Sequence, residues 1–287
     1  MCRLYGYLSE QPTRVECGLV CAQNSMMTQS EHDKRGLANP DGWGVAYFSD
    51  GAPHVKKRVL SAAQDEQYRI AADEIYTRAL VAHVRSATVG GICIENVHPF
   101  HVGRWVFAHN GTVPGFDVIE GRLAEDTPDW LLQERLGTTD SELCFVWLLG
   151  RLERAHAGAT ASGAPPPVVA EVLREGVRQI LSWCGEARPG EKPSLNFVLT
   201  DGQVLLAARH GRTLYSLERE ALHACELCGA CHCPVCRARD EHSHGDRVTC
   251  RAFVVASEPI TTESWREIED GVVLCVDERL EIHRAAV

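Results

Sequence analysis

The sequence lacks an excess of positive charge, because 29 Lys and Arg residues stand against 39 Asp and Glu residues, a formal net charge of −10. Its longest basic run is only Lys56-Lys57-Arg58. An acidic chain has no general electrostatic attraction to a phosphate backbone or to an anionic membrane face. We therefore expect neither a nucleic acid nor a membrane as a partner.

The sequence also lacks any apolar stretch near the roughly 20 residues that a membrane-spanning helix requires. Its first residues, Met-Cys-Arg-Leu-Tyr-Gly-Tyr, lack the long apolar core of a secretory signal. A hydrophobic fraction of 45% is nevertheless enough to form a sizeable core. These features predict a globular, cytoplasmic protein.

A complete set of disulfides is not expected either, because the chain has an odd number of cysteines, 13. In a reducing cytosol they should be free, catalytic or metal-bound. Six lie between residues 225 and 250, and seven are spread thinly. Six of the latter have apolar surroundings and are predicted to be buried thiols: Cys17, Cys21, Cys93, Cys144, Cys184 and Cys275.

Hairpin signals outnumber strand–helix–strand units along the chain. Predicted strands 43–48 and 54–59 flank Asp50-Gly51, and predicted strands 195–199 and 204–208 flank Asp201-Gly202. Further strands are predicted at 3–7, 79–84, 104–108, 253–256, 272–276 and 280–283. Helices are predicted at 17–29, 65–76, 140–149 and 168–183, with a flexible loop at 157–167. The pattern indicates largely antiparallel sheets whose outer faces are covered by helices.

Cys2 directly follows the initiator methionine. Because its side chain is small, we expect Met1 to be removable, which would make Cys2 the N-terminal residue. A free α-amino group has a pKa of about 7.7 to 8.0, so it can be neutral and take the thiol proton directly or through a water. Taken alone, however, a Cys after Met is more often only a small, removable residue.

Polar motifs at the predicted ends of strands and helices give Cys2 a context. In chain order they are Asn39-Pro40-Asp41-Gly42-Trp43-Gly44, His83-Val84-Arg85-Ser86-Ala87-Thr88, Asn96-Val97-His98-Pro99-Phe100, Ala108-His109-Asn110-Gly111-Thr112 and Thr138-Thr139-Asp140-Ser141-Glu142. Together with Cys2, these motifs resemble the class II glutamine amidotransferases, a branch of the Ntn hydrolases. The similarity is greatest to small stand-alone members that begin Met-Cys-Arg, among them the ergothioneine-pathway γ-glutamyl hydrolases. It includes Ser194-Leu195-Asn196 and the segment 255–259, so it covers nearly the whole chain, 2–287.

The resemblance implies an α+β fold, the four-layer α/β/β/α Ntn-hydrolase sandwich with two antiparallel sheets. It implies that Cys2 is the nucleophile and becomes a γ-glutamyl thioester. The side-chain amide of Asn110 and the backbone N–H of Gly111 would form the oxyanion hole, and such preorganised donors contribute strongly to acyl transfer. No cofactor is needed for this chemistry.

The same resemblance assigns substrate binding to three residues. Arg85 would bind the α-carboxylate with its planar fork, Asp140 would pair with the α-ammonium, and Thr88 would line the same pocket. Simpler interpretations remain open, since Arg85 could form a surface ion pair, Asn110-Gly111 a tight turn, and Asp140 a helix N-cap.

Other polar residues of the motifs are predicted to be structural. The amino terminus supplies the base, so no imidazole is required, and His83, His98 and His109 are expected to be satisfied structural histidines. The segment Asp41-Gly42-Trp43-Gly44 is predicted to be a tight turn that serves packing.

A free-standing hydrolase acting on the γ-amide of glutamine or of a γ-glutamyl compound is the preferred function. One alternative is a glutaminase subunit that delivers ammonia to a separate synthetase. Another is a catalytically idle family member that serves as a zinc-bearing interaction module. The intact set of Cys2, Arg85, Asn110 and Asp140 argues against the last. The amine leaving group is left open.

Residues 218–250 depart from the family pattern and form a Cys/His-rich insertion. Its candidate metal ligands, of which a subset would suffice, are Cys225, Cys228, Cys231, Cys233, Cys236, His242, His244 and Cys250. Thiolates at two-residue gaps suit tetrahedral zinc. An iron–sulfur cluster is an alternative, although the fourth Cys, before Pro234, comes too early for the ferredoxin pattern. A redox-labile loop without metal is the third interpretation.

We predict that this insertion binds a structural zinc ion, with the pairs Cys225/Cys228 and Cys233/Cys236 as the simplest ligand set. Metal binding would supply the ordering energy that so polar a segment lacks. Metal analysis of protein purified without added zinc should find about one equivalent. A small fraction of an equivalent, together with six reactive thiols in the segment, would refute the prediction.

Overall fold

The computed structural model describes residues 2–220 and 250–287. Its strands are β1 (Arg3–Arg14), β2 (Trp43–Ser49), β3 (Ala52–Arg58), β4 (Tyr76–Val84), β5 (Phe100–Val102), β6 (Trp105–Thr112), β7 (Ser194–Thr200), β8 (Leu205–Arg209), β9 (Tyr215–Arg219), β10 (Ala252–Ala256), β11 (Arg266–Glu267), β12 (Val272–Val276) and β13 (Ile282–Ala286). Its helices are α1 (Met26–Glu31), α2 (Glu66–Glu74), α3 (Phe116–Glu125), α4 (Asp129–Leu132), α5 (Asp140–Ala155), α6 (Ala159–Ser162) and α7 (Pro166–Ala187).

These strands form two antiparallel sheets. The first has the order β11-β9-β10-β1-β4-β2-β3, and the second has the order β13-β12-β8-β7-β6-β5. In the first sheet, β1 lies between β4 and β10, with Arg3 opposite Val84 and Tyr5 opposite Ala256. The N-terminal end of β1 is therefore held between the C-terminal ends of β4 and β10.

The two Asp-Gly hairpins form as predicted. Asp50 and Gly51 both have positive φ angles, 53° and 78°, which is the backbone that a two-residue hairpin turn between twisted strands requires. Gly202, with φ 88°, lies in the longer turn of residues 201–204 that joins β7 to β8. The local sequence thus sets the turn, and the turn sets which strands pair.

Four layers follow from the alternation of side chains along the strands. In β6, Val106 and Ala108 face the other sheet, whereas Trp105 and Phe107 pack against the helices of the outer layer. A central core between the two sheets contains residues of both, and two outer cores join each sheet to its own helices. The predicted α/β/β/α arrangement with two antiparallel sheets is confirmed.

The longest described helix, α7, is amphipathic rather than apolar throughout. Its buried positions recur every three or four residues: Val169, Leu173, Val177, Ile180 and Cys184. Within the described ranges, no helix combines the length and the apolar character needed to cross a bilayer.

Three local predictions are wrong. The predicted helix 17–29 is divided into a π-helical turn, Cys17–Cys21, and α1, because Ser25 adopts an extended conformation and caps α1 by accepting a hydrogen bond from the N–H of Thr28. The loop predicted at 157–167 contains α6 and the start of α7, where Pro166 suits the first helical turn.

The third wrong prediction concerns the thiols. Cys17, Cys21 and Cys93 are half-buried, while Cys144, Cys184 and Cys275 are buried as expected. In addition, the insertion predicted at 218–250 overlaps the described fold at its edges, since β9 continues to Arg219.

Candidate active site

Cys2 directly precedes β1 at one end of the first sheet, and its side chain contacts Ser86, the residue after Arg85. The backbone N–H of Ser86 donates to the Cys2 thiol at 3.3 Å, and the thiol lies 3.2 Å from the Ser86 carbonyl oxygen. Burial raises the pKa of the Cys2 thiol, an effect that the Ser86 N–H and the cations of Arg212 and Arg85 partly oppose. Such a thiol is protonated at neutral pH, so its attack requires a group that takes the proton.

The next residue, Arg3, fixes the start of β1 through a buried ion network. Its guanidinium contacts Asp33 at 2.5 Å and Glu258 at 2.8 Å, and it donates to the carbonyl oxygen of Cys2 at 2.8 Å. All three charged side chains are nearly inaccessible to solvent. Because a buried charge is costly unless it is paired, this network holds the backbone of Cys2 in one place.

Arg85 follows β4 and is buried, yet it has no ion-pair partner among the residues that the structure describes. Its guanidinium donates to the carbonyl oxygens of Val89, at 3.0 Å, and Gly91, at 3.1 Å. Asn96 supports this loop by donating to the same Gly91 carbonyl oxygen at 3.0 Å. The surface ion-pair interpretation of Arg85 is therefore wrong, and a buried cation is left available to an anionic group.

The tight turn predicted at Asp41-Gly42-Trp43-Gly44 is only partly correct, because Trp43 and Gly44 begin β2. Asp41 and Gly42, before that strand, support the other side of Arg85. The N–H of Arg85 donates to Gly42 and the N–H of Asp41 donates to Arg85, while the carboxylate of Asp41 accepts from the N–H of Ala87 at 2.8 Å. This contact holds the chain at Ser86, which lies against the Cys2 thiol.

Asn110 and Gly111 lie within β6 rather than in a tight turn. The Asn110 amide donates to the Ser257 hydroxyl at 3.1 Å. A Cβ on Gly111 would lie 1.8 Å from the Ser194 carbonyl oxygen, so no larger residue fits there. The Ser257 hydroxyl also accepts from the N–H of Leu4 at 3.0 Å, which connects this point of the second sheet to the beginning of β1.

Asp140 is buried and has no basic ion-pair partner in the described ranges. Its carboxylate accepts from the N–H groups of Val113, at 3.1 Å, and Ser141, at 2.8 Å. It is not the N-cap of α5, because Thr139 fills that position and accepts from the N–H of Glu142. Asp140 thus lies close to the end of β6 that carries Asn110 and Gly111. Thr88, by contrast, is exposed on the loop after Arg85.

The motif histidines are buried, but the prediction that all three are satisfied is wrong for two of them. The ring nitrogens of His83 and His98 have no hydrogen-bond partner among the described residues. His83 and His98 stack with ring centroids 4.3 Å apart, and burial lowers the pKa of His83 to about 3. His109 lies between the Ser141 hydroxyl, at 2.8 Å, and the Ser194 carbonyl oxygen, at 3.0 Å. Because the carbonyl can only accept, Nε2 of His109 carries the proton, which suits a fixed structural role.

Arg212 was missed by the sequence analysis. It is half-buried between β8 and β9, and its guanidinium donates to the amide oxygen of Asn110 at 2.6 Å. Asn196 fixes this segment, because its amide donates to the carbonyl oxygen of Arg212 and its oxygen accepts from the N–H of His210. The sequence does indicate a special role for Asn196, because it is a polar residue among the apolar positions of a predicted buried strand. It gives no such indication for Arg212, because the segment His210-Gly211-Arg212 matches no recognisable motif.

The predicted metal site lies almost entirely outside the described residues. Met1 and seven of the eight candidate ligands, all but Cys250, lie outside the described residues. Cys250 is buried just before β10, at the end of that strand opposite to Ser257 and Cys2. The zinc ion stays a prediction.

Comparison with known sequences agrees with the geometry. Residues 1–281 match the profile of the family described as glutamine amidotransferases class-II. The chain is 28% identical to the probable glutamine amidotransferase DUG3 of Saccharomyces cerevisiae, covering 96% of this chain and 82% of that protein. It is 37% identical to the gamma-glutamyl-hercynylcysteine sulfoxide hydrolase of Mycobacterium tuberculosis over 136 residues, covering 45% of this chain and 57% of that protein.

Solved structures share the fold. A predicted glutamine amidotransferase of Pseudomonas aeruginosa superposes with a TM-score of 0.61 at 22% identity, covering 98% of this chain and 99% of that one. The allosteric regulatory enzyme of purine biosynthesis gives a TM-score of 0.60 at 16% identity, covering 99% of this chain and 49% of that one.

Replacing Arg3 should destabilise the fold far more than replacing a more exposed arginine of the same strand. We expect Arg3→Met to lower the free energy of unfolding by about 3 to 5 kcal/mol, because Asp33 and Glu258 lose their cation. Arg14→Met, which removes contacts to the more exposed Asp73 and Glu16, should cost at most about 1 kcal/mol. Urea denaturation of both variants measures the difference, and equal losses would contradict the role given to Arg3.

Proposed function

The chain belongs to the class II glutamine amidotransferases, and from this premise we propose that it hydrolyses γ-glutamyl amides with Cys2 as the nucleophile. The observation that carries the proposal is the pair of buried, oppositely charged residues Arg85 and Asp140. Neither is ion-paired within the described ranges, and both lie at the end of the sandwich where Cys2 is found. An α-amino acid head group carries the two complementary charges.

The chemistry divides into two acyl transfers. The Cys2 sulfur attacks the γ-carbonyl carbon, the carbon–nitrogen bond breaks, and the amine or ammonia leaves with the proton that the thiol gave up. Water then attacks the γ-glutamyl thioester, which releases glutamate and restores the thiol. Because the pKa of the thiol is raised by burial, the first step depends on a nearby base. The α-amino group of Cys2 would serve after loss of Met1.

Asn110 and Gly111 are proposed to stabilise the oxyanion of each tetrahedral intermediate. The Asn110 oxygen is held by Arg212, so the amide nitrogen is turned toward Ser257 and the start of β1. One of its two N–H bonds goes to Ser257, which leaves the second for the substrate. A donor that is fixed before the reaction has no reorganisation cost when the charge develops.

The proposed zinc ion would be structural and separate from this chemistry. Residues 220 and 250 leave and re-enter the described fold at the end of β9 and the start of β10. That end of the two strands is opposite to Ser257. Because the proposed thiol chemistry needs no metal, catalysis by Cys2 should persist at least in part when zinc is removed.

Cys2→Ala should abolish release of ammonia from glutamine and of glutamate from γ-glutamyl amides, because no other thiol lies at the proposed oxyanion hole of the described fold. Cys93→Ala, which removes a half-buried thiol from the loop after Arg85, is the matched control and should retain activity. Intact-mass analysis should show loss of Met1 and labelling of Cys2 alone by a glutamine-mimicking electrophile. Full activity in protein that keeps Met1 would refute the mechanism.

Arg85 and Asn110 should fail in different ways when they are replaced. Arg85→Lys keeps the charge but loses the planar fork, so it should mainly raise KM, by about tenfold or more. Asn110→Ala should mainly lower kcat, by about 10² to 10³. Steady-state kinetics with one γ-glutamyl amide decides between these roles, which are misassigned if both variants change the same constant.

A further inference from the structure

Arg212 is a cation of the proposed site that has only neutral partners in the described structure. Its guanidinium lies 2.6 Å from the Asn110 amide oxygen and 3.5 Å from the Thr112 hydroxyl. Within residues 2–220 and 250–287, no carboxylate is in ion-pair contact with it. A guanidinium has five N–H bonds, and these two contacts engage only part of them.

Arg212 and Arg85 lie on opposite flanks of Cys2. Arg85 follows β4, the neighbour of β1 on one side. Arg212 precedes Thr213, whose hydroxyl donates to the carbonyl oxygen of Ser257 at 3.0 Å, and Ser257 follows β10, the neighbour of β1 on the other side. A substrate whose carboxylate is bound by Arg85 and whose carbonyl is at Cys2 would extend its amine half toward Arg212.

The charges of glutamine do not account for Arg212. Glutamine has one carboxylate and one ammonium group, which Arg85 and Asp140 would bind, and its leaving group is neutral ammonia. Arg212 is then a partly desolvated cation without an ion-pair contact in the described ranges, and burial lowers its pKa although the charge of the nearby Asp140 partly opposes this effect. The cost of burying an unmatched charge falls when a ligand supplies the opposite charge.

We propose that the amine half of the substrate carries a carboxylate that Arg212 binds, so that the preferred substrates are γ-glutamyl amides of amino acids rather than glutamine. The inference rests on the proposed γ-glutamyl hydrolysis and specifies its leaving group. The planar fork of an arginine matches a carboxylate, and a charge-assisted hydrogen bond of this kind is stronger than a neutral one.

Two substrates that differ only in this charge test the proposal. γ-Glutamylglycine and γ-glutamylglycinamide release the same glutamate, but only the first has a carboxylate on its amine half. We expect the wild-type protein to favour γ-glutamylglycine in kcat/KM by about 10- to 100-fold. Because Arg212 also holds Asn110, Arg212→Gln can slow both substrates, so the ratio of their kcat/KM values is the readout. We expect this ratio to fall to about one in Arg212→Gln, because only γ-glutamylglycine loses a charged partner.

Arg212→Lys keeps the charge and should keep part of the preference, which a loss of structure alone would not do. Arg266→Gln removes a well-exposed cation on β11 and should leave the preference unchanged. Thermal unfolding of each variant reports on folding.

If Arg212→Gln slows both substrates by the same factor, Arg212 only positions Asn110 and the inference is wrong, although γ-glutamyl hydrolysis stands. A wild-type protein that does not distinguish the two substrates also overturns it. If the wild-type protein releases no glutamate from either substrate or from glutamine, the proposed function itself fails and the inference with it.

Discussion

The proposed active site depends on the buried ion network of Arg3 with Asp33 and Glu258. These residues come from three segments that are far apart in the sequence, and none of the three charges is tolerable in that environment alone. They must therefore come together, and their meeting point determines where β1 begins. Ser257, the residue before Glu258, accepts hydrogen bonds from Leu4 and Asn110. The ion network therefore also helps to fix the position of the second sheet relative to the first.

In two strands, the residues that pack in the core precede the polar residues of the proposed site. In β6, residues 105–108 are apolar and fill cores on both faces of the sheet, and the polar residues begin at His109. Similarly, β4 is buried from Ala79 to Val84 and ends directly before Arg85. The apolar segments offset the cost of holding Arg85 and Asp140 in the protein without counter-charges. A ligand that supplies those charges would stabilise the fold as it binds.

The sequence predicts the structure well where neighbouring residues alone determine the local conformation. An Asp-Gly pair favours a hairpin turn between two predicted strands. The polar motif around Asn110 predicts a polar residue near Cys2, and the fold places Asn110 against Ser257 at the start of β1. The sequence is uninformative where contacts join distant segments. Nothing near Arg212 indicates that it will contact Asn110, since that contact depends on how β8 and β9 are placed. The prediction of one helix over 17–29 is wrong for a local reason. The Ser25 side chain caps α1 by accepting a backbone hydrogen bond, which starts a new helix at Met26 instead of extending the preceding turn.

The join between β9 and β10 has a consequence for how this protein can vary. Arg219 and Ala252 are directly paired, so the two ends of the intervening segment lie only about 5 Å apart. The entropy of closing a loop between fixed ends rises slowly with its length, by about 0.6 kcal/mol per doubling. A segment there can lengthen, shrink or be exchanged for another module during evolution at little cost to the fold, and the same place suits the grafting of a reporter domain.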